Sequence, residues 1–346
     1  MNMLTKCEQA DALELGSPEV RLDRNTNSLT AGFVELSVRG QQVRVPAASV
    51  CGQTVIADGR RLKIASVMDE EYLNGETVGD PGAFLAELKR SGLPCDIFTF
   101  AQKLPDVTQK YSYKIEWDNF AAIPITTFSN WLEHQIEKDV RKAVKRAERE
   151  GVVVSLVEFD DAFVEGIRQI YNESPVRQGT TFWHYQKDFE TVKRENSTFP
   201  DRSAYIGAYY QGELIGFIRM VYVDNIASTL QVISQKKHAD KKPTNALIAK
   251  AVEICAQRGI SHFVYASYAY NGQPNSLTEF KRRNGFEQVL VPRYYVPITL
   301  KGRIALALDL HQPFINRIPK SLLPPLRKIQ SLLGRRKAQL PATEVS

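Results

Sequence analysis

Three consecutive apolar segments separated by tight turns constrain the fold of this chain more than any other feature of its sequence. Residues 205–210, 214–222 and 226–234 have the length and the aromatic and β-branched content of strands. The turns Gln211-Gly212-Glu213 and Val223-Asp224-Asn225 carry Gly, Asp and Asn, which tight turns favour. The sequence therefore predicts three successive strands joined by short turns.

Further strands and helices surround these segments. In the second half of the chain, the apolar spacing predicts strands at 152–159, 262–268 and 294–298 and helices at 161–171, 244–258 and 276–283. In the first half, it predicts strands at 32–38, 42–46, 61–66 and 96–100 and a helix at 81–90. The expected fold class is therefore α+β, with a mixed sheet flanked by helices.

Length and composition fit a globular protein rather than a membrane or disulfide-rich one. The chain has 346 residues, which suggests about two domains at roughly 100–200 residues each. No apolar run approaches the roughly 18 residues of a transmembrane helix, and the N-terminus does not resemble a secretory signal. Cys7, Cys51, Cys95 and Cys255 are widely separated, so we expect neither a metal site nor a disulfide framework. A cytoplasmic protein is expected.

The positive charge is concentrated at the C-terminus. The formal charge is +6, but residues 301–346 contain nine Lys or Arg against Asp309 and Glu344, which leaves −1 for residues 1–300. Affinity for a polyphosphate chain depends on clustered positive charge, so nucleic acid is not an expected partner of the body.

Residues 311–337 form a basic and apolar segment. Ile and Leu alternate there with seven Lys or Arg, and no acidic residue falls among them. Such a segment suits an anionic membrane surface or a partner groove, although four prolines divide it into short pieces. Docking of this tail on the protein's own core is the alternative.

Residues 131–150 predict a long charged helix that ends at Gly151. Arg141, Lys142, Lys145, Arg146 and Arg149 alternate with acidic residues along it. The pattern is typical of a solvated face with i,i+4 ion pairs, and a site for an anionic ligand is the alternative.

Two segments resemble the GNAT superfamily of acyltransferases. Residues 208–217 (Ala-Tyr-Tyr-Gln-Gly-Glu-Leu-Ile-Gly-Phe) resemble its central hairpin. The superfamily's closing segment is resembled by residues 275–286, which comprise Asn275, a short amphipathic helix and Gly285-Phe286. Within that segment, Phe280-Lys281 resembles a Phe-Lys pair that the Fem-type peptidoglycan-bridge transferases carry ahead of the Gly. The resemblance implies two GNAT-like lobes in one chain and acyl transfer to an amine. It divides the chain into an N-terminal α/β lobe (1–130), a linking basic helix (131–150), an acyltransferase domain (151–300) and a basic amphipathic tail (301–346).

Within that fold, a lysine-rich loop is the predicted site of the donor's phosphates. A helix N-terminus offers free N–H groups and a partial positive charge, and Pro243 suits a first helical turn. The predicted donor-binding residues are Ser234, Lys236, Lys237, Lys241, Lys242, Thr244 and Asn245. The loop lacks the superfamily's usual glycine run, and a solvated lysine loop that caps a surface helix is the alternative.

A second cluster lies in a loop that combines stacking faces with polar groups. Arg177, Gln178, Trp183 and Tyr185 are predicted to contact the acceptor or the acyl chain, and the alternative packs these aromatic residues in the core.

Three residues are candidate proton carriers. His184 could accept the proton of the attacking amine, with Tyr268 and Tyr270 as alternatives. Phe280 lies where members of the superfamily often have a tyrosine that serves as the general acid, so that role cannot be assigned to this position. No Ser-His-Asp or Cys-His arrangement is evident, which favours direct attack in a ternary complex, with backbone groups near Ser234 binding the oxyanion.

The leading functional hypothesis is an N-acyltransferase with acyl-CoA as co-substrate and no permanently bound cofactor. Its acceptor would be an amine of a small molecule or of a cell-envelope or polysaccharide precursor. One alternative is an aminoacyl-tRNA-dependent Fem-type transferase, for which tRNA would be a partner. Another is a catalytically silent GNAT-like binding module. The tail allows a peripheral location at the inner face of the membrane.

Overall fold

A mixed sheet of twelve strands runs through the described part of the chain, which in the computed structural model comprises residues 31–38, 41–177, 179–270 and 274–312. In sheet order the strands are β1 (Gly32–Val38), β2 (Gln41–Val50), β3 (Gln53–Asp58), β4 (Ile64–Val67), β5 (Ile97–Ala101), β14 (Glu287–Pro297), β6 (Lys114–Pro124), β13 (His262–Ser267), β12 (Ile226–Ser234), β11 (Glu213–Val223), β10 (Ser203–Tyr210) and β7 (Val153–Val157). A separate hairpin pairs β8 (Val176–Arg177) with β9 (Thr180–Thr181).

Helices cover this sheet. They are α1 (Pro81–Arg90), α2 (Phe128–Asn130), α3 (Lys138–Arg149), α4 (Asp161–Tyr171), α5 (Phe189–Asn196), α6 (Pro243–Gln257), α7 (Ser276–Arg283) and α8 (Leu300–Ala307). Two 3-10 helices, Glu70–Tyr72 and Lys236–Lys241, and a π-helix, Trp131–Gln135, complete the helical structure described. The predicted α+β class is confirmed.

Local sequence signals explain where several helices begin. The Asp80 side chain accepts hydrogen bonds from the N–H groups of Gly82 and Ala83 ahead of α1, and Pro81 occupies its first position. Asn275 and Thr278 form a reciprocal capping box at the start of α7. These caps fall where the sequence predicted helix starts, and the bounds of α1, α4 and α7 agree with the prediction.

The predicted continuous helix over 131–150 is wrong, because the chain is extended between two helical segments. Ile136 and Glu137 have ψ angles of 153° and 152°, which end the π-helix and precede α3. Ile136 is buried, and the Glu137 N–H donates to the Arg283 carbonyl at 3.1 Å. The interruption therefore buries an apolar side chain and pairs the backbone with the end of α7.

Strand exchange joins two half-sheets. The N-terminal half-sheet contains β1 to β5, and the C-terminal half-sheet contains β7 and β10 to β13. Between them, β14 pairs with β5, β6 pairs with β13, and β6 and β14 pair with each other. Each half thus receives a strand that is distant in sequence. The boundaries at 130 and 150 remain predictions.

A tryptophan anchors the closing segment to the π-helix. Trp131 is 1% exposed, and its Nε1–H donates to the Asn284 carbonyl at 3.0 Å. A Cβ atom at Gly285, whose φ is +86°, would lie 3.2 Å from that same nitrogen. The close approach explains why glycine suits this position.

We expect the substitution Trp131→Ala to lower the free energy of unfolding by about 3–5 kcal/mol, because it leaves a large cavity and an unpaired carbonyl. Trp117→Ala is the matched control, since Trp117 is 48% exposed on β6, and should cost about 1 kcal/mol or less. Denaturant titration followed by circular dichroism measures both. Equal losses would contradict this packing account.

Candidate functional site

A gap opens in the sheet where β12 and β13 diverge. They pair in parallel from Ile226↔His262 to Ser228↔Val264, and no later pair joins them in the described chain. Leu230 has no partner in the β11 register, which marks a bulge in β12, and Ala266 of β13 has a φ of +44°. Beyond the last pair, the described parts of β12 and β13 do not pair with each other, so the space between them can admit a ligand.

A cleft between the two half-sheets ends at this gap. The 3-10 helix Glu70–Tyr72 and the loop after β5, with Lys103, form one side. Thr229 of β12 and Ala266 of β13 form the other. The cleft has about 690 Å³ of empty space, including its open mouth. Concave sites of this kind, with mainly apolar walls and a few polar groups, are typical of small-molecule binding.

An ion network fixes one wall of the cleft. The buried Glu70 carboxylate accepts hydrogen bonds from the Ala101 N–H at 2.7 Å and from Arg293 Nη1 at 3.0 Å. Arg293 also donates through Nε to Asp118 at 2.7 Å. Because Arg293 belongs to β14 and Asp118 to β6, the exchanged strands hold the 3-10 helix in place.

Glu71 lies next to this network and lines the cleft. Glu71 is an exposed residue, in contrast to the buried Glu70, although neighbouring protein atoms reduce the hydration of its carboxylate. Desolvation raises its pKa to about 7, opposed by Arg293 and reinforced by Asp118 and Glu70. Glu71 was not predicted from the sequence, because Asp69-Glu70-Glu71 is indistinguishable from an ordinary charged surface turn.

The predicted donor loop is partly occupied by the protein's own carboxylates. The N–H groups of Lys236 and Lys237 donate to the Glu173 carboxylate at 2.8 and 2.9 Å. The Lys236 ammonium donates to the Val176 carbonyl, and that of Lys237 pairs with Glu213 at 2.6 Å. This first part of the loop is therefore engaged internally.

The second part of the loop remains available at the N-terminus of α6. Lys242 has a left-handed φ of +58°, and within the described residues its ammonium makes no hydrogen bond or ion pair. Lys241 pairs with Asp240 at 3.3 Å and lies over the Tyr210 ring. The Thr244 hydroxyl bonds to the Ser234 hydroxyl at 2.8 Å, and Asn245 Nδ2 donates to Asn284 Oδ1 at 3.1 Å. The structure thus brings Ser234, Lys241, Lys242, Thr244 and Asn245 together.

The predicted acceptor cluster folds inward instead of facing solvent. His184 is 3% exposed and stacks on Tyr171, with ring centroids 4.2 Å apart. Its Nδ1 lies 3.2 Å from Lys187 Nζ and its Nε2 lies 3.4 Å from Gln231 Nε2. Burial, together with Lys187 and Arg177, lowers the pKa of His184 well below its ordinary value. The imidazole is therefore neutral at physiological pH.

Other members of the cluster have structural contacts. Arg177 donates to the carbonyls of Ser234 and Ile170, each at 3.0 Å, and so ties its loop to β12 and α4. The Trp183 ring covers His184 and contacts the Lys187 ammonium, and the half-buried Tyr185 packs against the core beneath. Gln178 lies outside the described residues.

Tyr268 and Tyr270 follow β13 near a buried lysine. The Lys281 ammonium donates to the Ser267 carbonyl at 2.5 Å and lies 5.0 Å from the centroid of the Tyr270 ring. Burial lowers the pKa of Lys281 to about 8. Desolvation raises the pKa of Tyr72 in the cleft, and Glu71, Asp69 and Tyr270 raise it further. The Tyr268 N–H donates to the Asn119 carbonyl.

The described residues contain no group of three or more His, Cys, Asp or Glu side chains placed to hold a metal ion. The geometry instead provides a backbone gap, a helix N-terminus with lysines and a cleft with one available carboxylate. Acyl transfer can use such an arrangement, since it needs donor binding, oxyanion stabilisation and proton removal.

No family model matches the sequence, and no curated protein matches it either. Among solved structures, FemX aligns with a TM-score of 0.53 and 9% identity over 81% of this chain and 91% of FemX. The C-terminal domain of a putative lysylphosphatidylglycerol synthetase from Agrobacterium fabrum aligns at 0.50, with 13% identity over 76% of this chain and 86% of that one. L-PGS from Bacillus licheniformis aligns at 0.50, with 16% identity over 77% and 88%. The chain therefore shares its fold with FemX and L-PGS, which confirms the GNAT-like fold that the sequence resemblance implied.

We expect His184 to make stability depend on pH. Because its folded-state pKa is lowered, stability is full above the unfolded value of about 6.5 and falls below it, by up to about 1.4 kcal/mol per pH unit. Between pH 6.5 and 5, the His184→Asn variant should show a shallower loss than the wild type. His134→Asn, at an exposed histidine, is the control and should keep the wild-type slope. Parallel curves for wild type and His184→Asn would contradict a buried neutral imidazole.

Proposed function

We propose that this Fem-type GNAT fold is an N-acyltransferase that moves an acyl group from acyl-CoA to an amine in a ternary complex. The observation that carries the proposal is the gap between β12 and β13, which opens into the cleft between the half-sheets. A donor carbonyl in this gap would lie between the backbones of the two separated strands, and an acceptor in the cleft would approach the same carbonyl. Positioning two reactants in this way supplies much of the catalysis in direct transfer.

The donor's phosphates would bind at the N-terminus of α6. The Lys241 and Lys242 side chains, with the N–H groups of Thr244 and Asn245, form an anion-binding arrangement. Ser234 would support it through its hydrogen bond to Thr244. We assign Lys236 and Lys237 a lesser part, because Glu173 already binds their N–H groups.

Lys281 is a candidate for stabilising charge near the reacting carbonyl. Its ammonium lies at the end of β13 between the rings of Tyr265 and Tyr270, at 4.6 and 5.0 Å from their centroids. A cation in a desolvated site acts more strongly on developing negative charge than one in water. Tyr270 keeps its proposed role as a proton carrier, while His184 is better suited to support the fold.

An aminoacyl-tRNA donor is the second candidate. Two observations favour it: Glu173 occupies N–H groups in the loop, and the sequence lacks a glycine run there. The charge of −1 over residues 1–300 argues against a long tRNA surface.

Calorimetric titration with acetyl-CoA and with a longer acyl-CoA at moderate salt tests the donor class. Saturable binding of either compound supports the acyl-CoA proposal. If neither acyl-CoA binds, and if aminoacylated tRNA competes with uncharged tRNA for the protein, the donor is assigned as an aminoacyl-tRNA instead.

Replacing both Lys241 and Lys242 by Ala should weaken acyl-CoA binding about tenfold, because two charge contacts together contribute about 1.4 kcal/mol or more. The thermal midpoint should change little, since Lys242 forms no ion pair with a described residue and the ion pair of Lys241 is with the exposed Asp240. Lys89→Ala with Arg90→Ala is the matched control, which removes the same charge from the exposed end of α1. Wild-type affinity in the Lys241/Lys242 variant would remove the assigned phosphate site.

We also propose that an anionic membrane surface is a partner of the C-terminal region. Helix α8 exposes Leu300 (71%) and Ile304 (51%), and Leu308 (62%) follows at the same spacing. The basic segment 311–337 comes directly after this apolar stripe, and residues 313–346 lie outside the described part. No described helix is both long and apolar enough to span a bilayer.

Deleting residues 313–346 should abolish co-sedimentation with vesicles that contain anionic lipid, because both charge and apolar area are lost. The deletion begins after Gln312 because His311 and Gln312 bond to Glu116 and belong to the folded body. Replacing Leu300, Ile304 and Leu308 by Ser should weaken binding while the tail remains. Equal sedimentation of the full chain and the deletion variant would exclude a membrane role for the tail.

A further inference from the structure

The cleft between the two half-sheets contains one carboxylate, that of Glu71, without a described protein partner. Its other carboxylates are engaged: Glu70 bonds to Ala101 and Arg293, and Asp224 accepts from the Gly75 N–H at 2.8 Å. Among the described residues, none donates a hydrogen bond to the Glu71 carboxylate or forms an ion pair with it. Glu71 is thus available to a ligand that enters the cleft.

The residues of the cleft walls indicate the chemistry of such a ligand. Leu104, Phe120, Ile226 and Val264 line the same cleft as Glu71 and give it apolar walls. A cleft with mainly apolar walls and one carboxylate without a protein partner matches a ligand that carries one positive charge on an apolar body, because the cation can pair with the carboxylate. A primary ammonium group on an alkyl chain has this chemistry.

The cleft also lies next to the gap between β12 and β13. Thr229 and Ala266 line the cleft and stand just beyond Ser228↔Val264, where β12 and β13 stop pairing. A ligand held at Glu71 would therefore be bound in the cleft that opens onto the gap we assign to the donor carbonyl. By contrast, the buried His184 ring already contacts Lys187 and Gln231 in the interior.

We infer that the cleft binds the acyl acceptor through its primary ammonium group, which pairs with the Glu71 carboxylate, and that Glu71 takes one proton from it. The inference rests on the proposed acyl transfer. Loss of that proton leaves a neutral amine, whose nitrogen forms the C–N bond as the C–S bond of the thioester breaks. The second amine proton passes to the departing sulfur, and Glu71 releases its proton to solvent through the cleft mouth.

Binding should depend on pH through Glu71. The charged or titratable groups near it are Asp69, which precedes its 3-10 helix, Glu70 and Tyr72 on that helix, Asp118 on β6 and Arg293 on β14. Lys103 and Asp224 line the same cleft. Because the pKa of Glu71 is raised to about 7, the carboxylate is mostly protonated at pH 6 and mostly ionised at pH 8. An alkyl ammonium, with a pKa of about 10, stays charged over that range.

The experiment titrates the full chain with hexylamine and with 1-hexanol, and follows the methyl NMR signals of Ile226 and Val264. Hexylamine should bind saturably and about tenfold more tightly at pH 8 than at pH 6, in proportion to ionised Glu71. Glu71→Gln should lose this pH dependence and at least fivefold in affinity at pH 8. Glu76→Gln is the control, since Glu76 is exposed and pairs with Lys110 outside the cleft lining.

A stability measurement separates the site from a folding defect. A carboxyl group with a raised folded-state pKa destabilises the fold once it ionises, so Glu71→Gln should have a higher unfolding midpoint than wild type at pH 8 and the same midpoint at pH 5. Equal binding of hexanol and hexylamine, or wild-type hexylamine affinity in Glu71→Gln, would overturn the inference. The titration contains no acyl-CoA, so failure of the donor proposal would leave an amine-binding cleft without the transfer step.

Discussion

The antiparallel ladder between β6 and β14 is the constraint on which the rest of the structure depends. It runs from Glu287↔Ala122 to Tyr295↔Lys114 and joins the two half-sheets into one sheet. Arg293 and Asp118 lie on these strands and, with Glu70, hold the 3-10 helix beside the gap between β12 and β13. The relative placement of the proposed donor gap and the proposed acceptor cleft therefore follows from strand exchange, and both half-sheets contribute to this proposed site.

Much of the second half could be predicted from its sequence because its signals are local. The turns around Gly212 and Asp224, the cap at Asn275 and the periodicity of α4 and α6 all act within a few residues. The break at Ile136 could not be predicted in this way, because the groups that stabilise the extended chain come from α7, far away in sequence. Strand β6 was missed for a related reason: its ladder partners lie on β13 and β14, and its mixed apolar and polar residues form no simple alternation.

The candidate site was predicted less completely than the fold. The sequence identified the lysines before α6, but not that Glu173 binds the N–H groups of Lys236 and Lys237, since that contact spans a loop, a helix end and a strand end. It identified an aromatic and cationic loop at 177–185, but the tertiary fold turns His184 inward against Tyr171. Glu71 carried no signal, because its environment is created by β6, β12, β13 and β14 together.

The central claim is that one compartment, formed by the gap and the cleft, brings donor and acceptor together. A crystal structure with acetyl-CoA bound tests it most directly. The account predicts the acetyl carbonyl between β12 and β13 next to Thr229, the phosphates at Lys242 and Thr244, and an open path from the carbonyl to Glu71. Acetyl-CoA bound elsewhere, or with its acetyl group separated from the cleft by packed side chains, would contradict it.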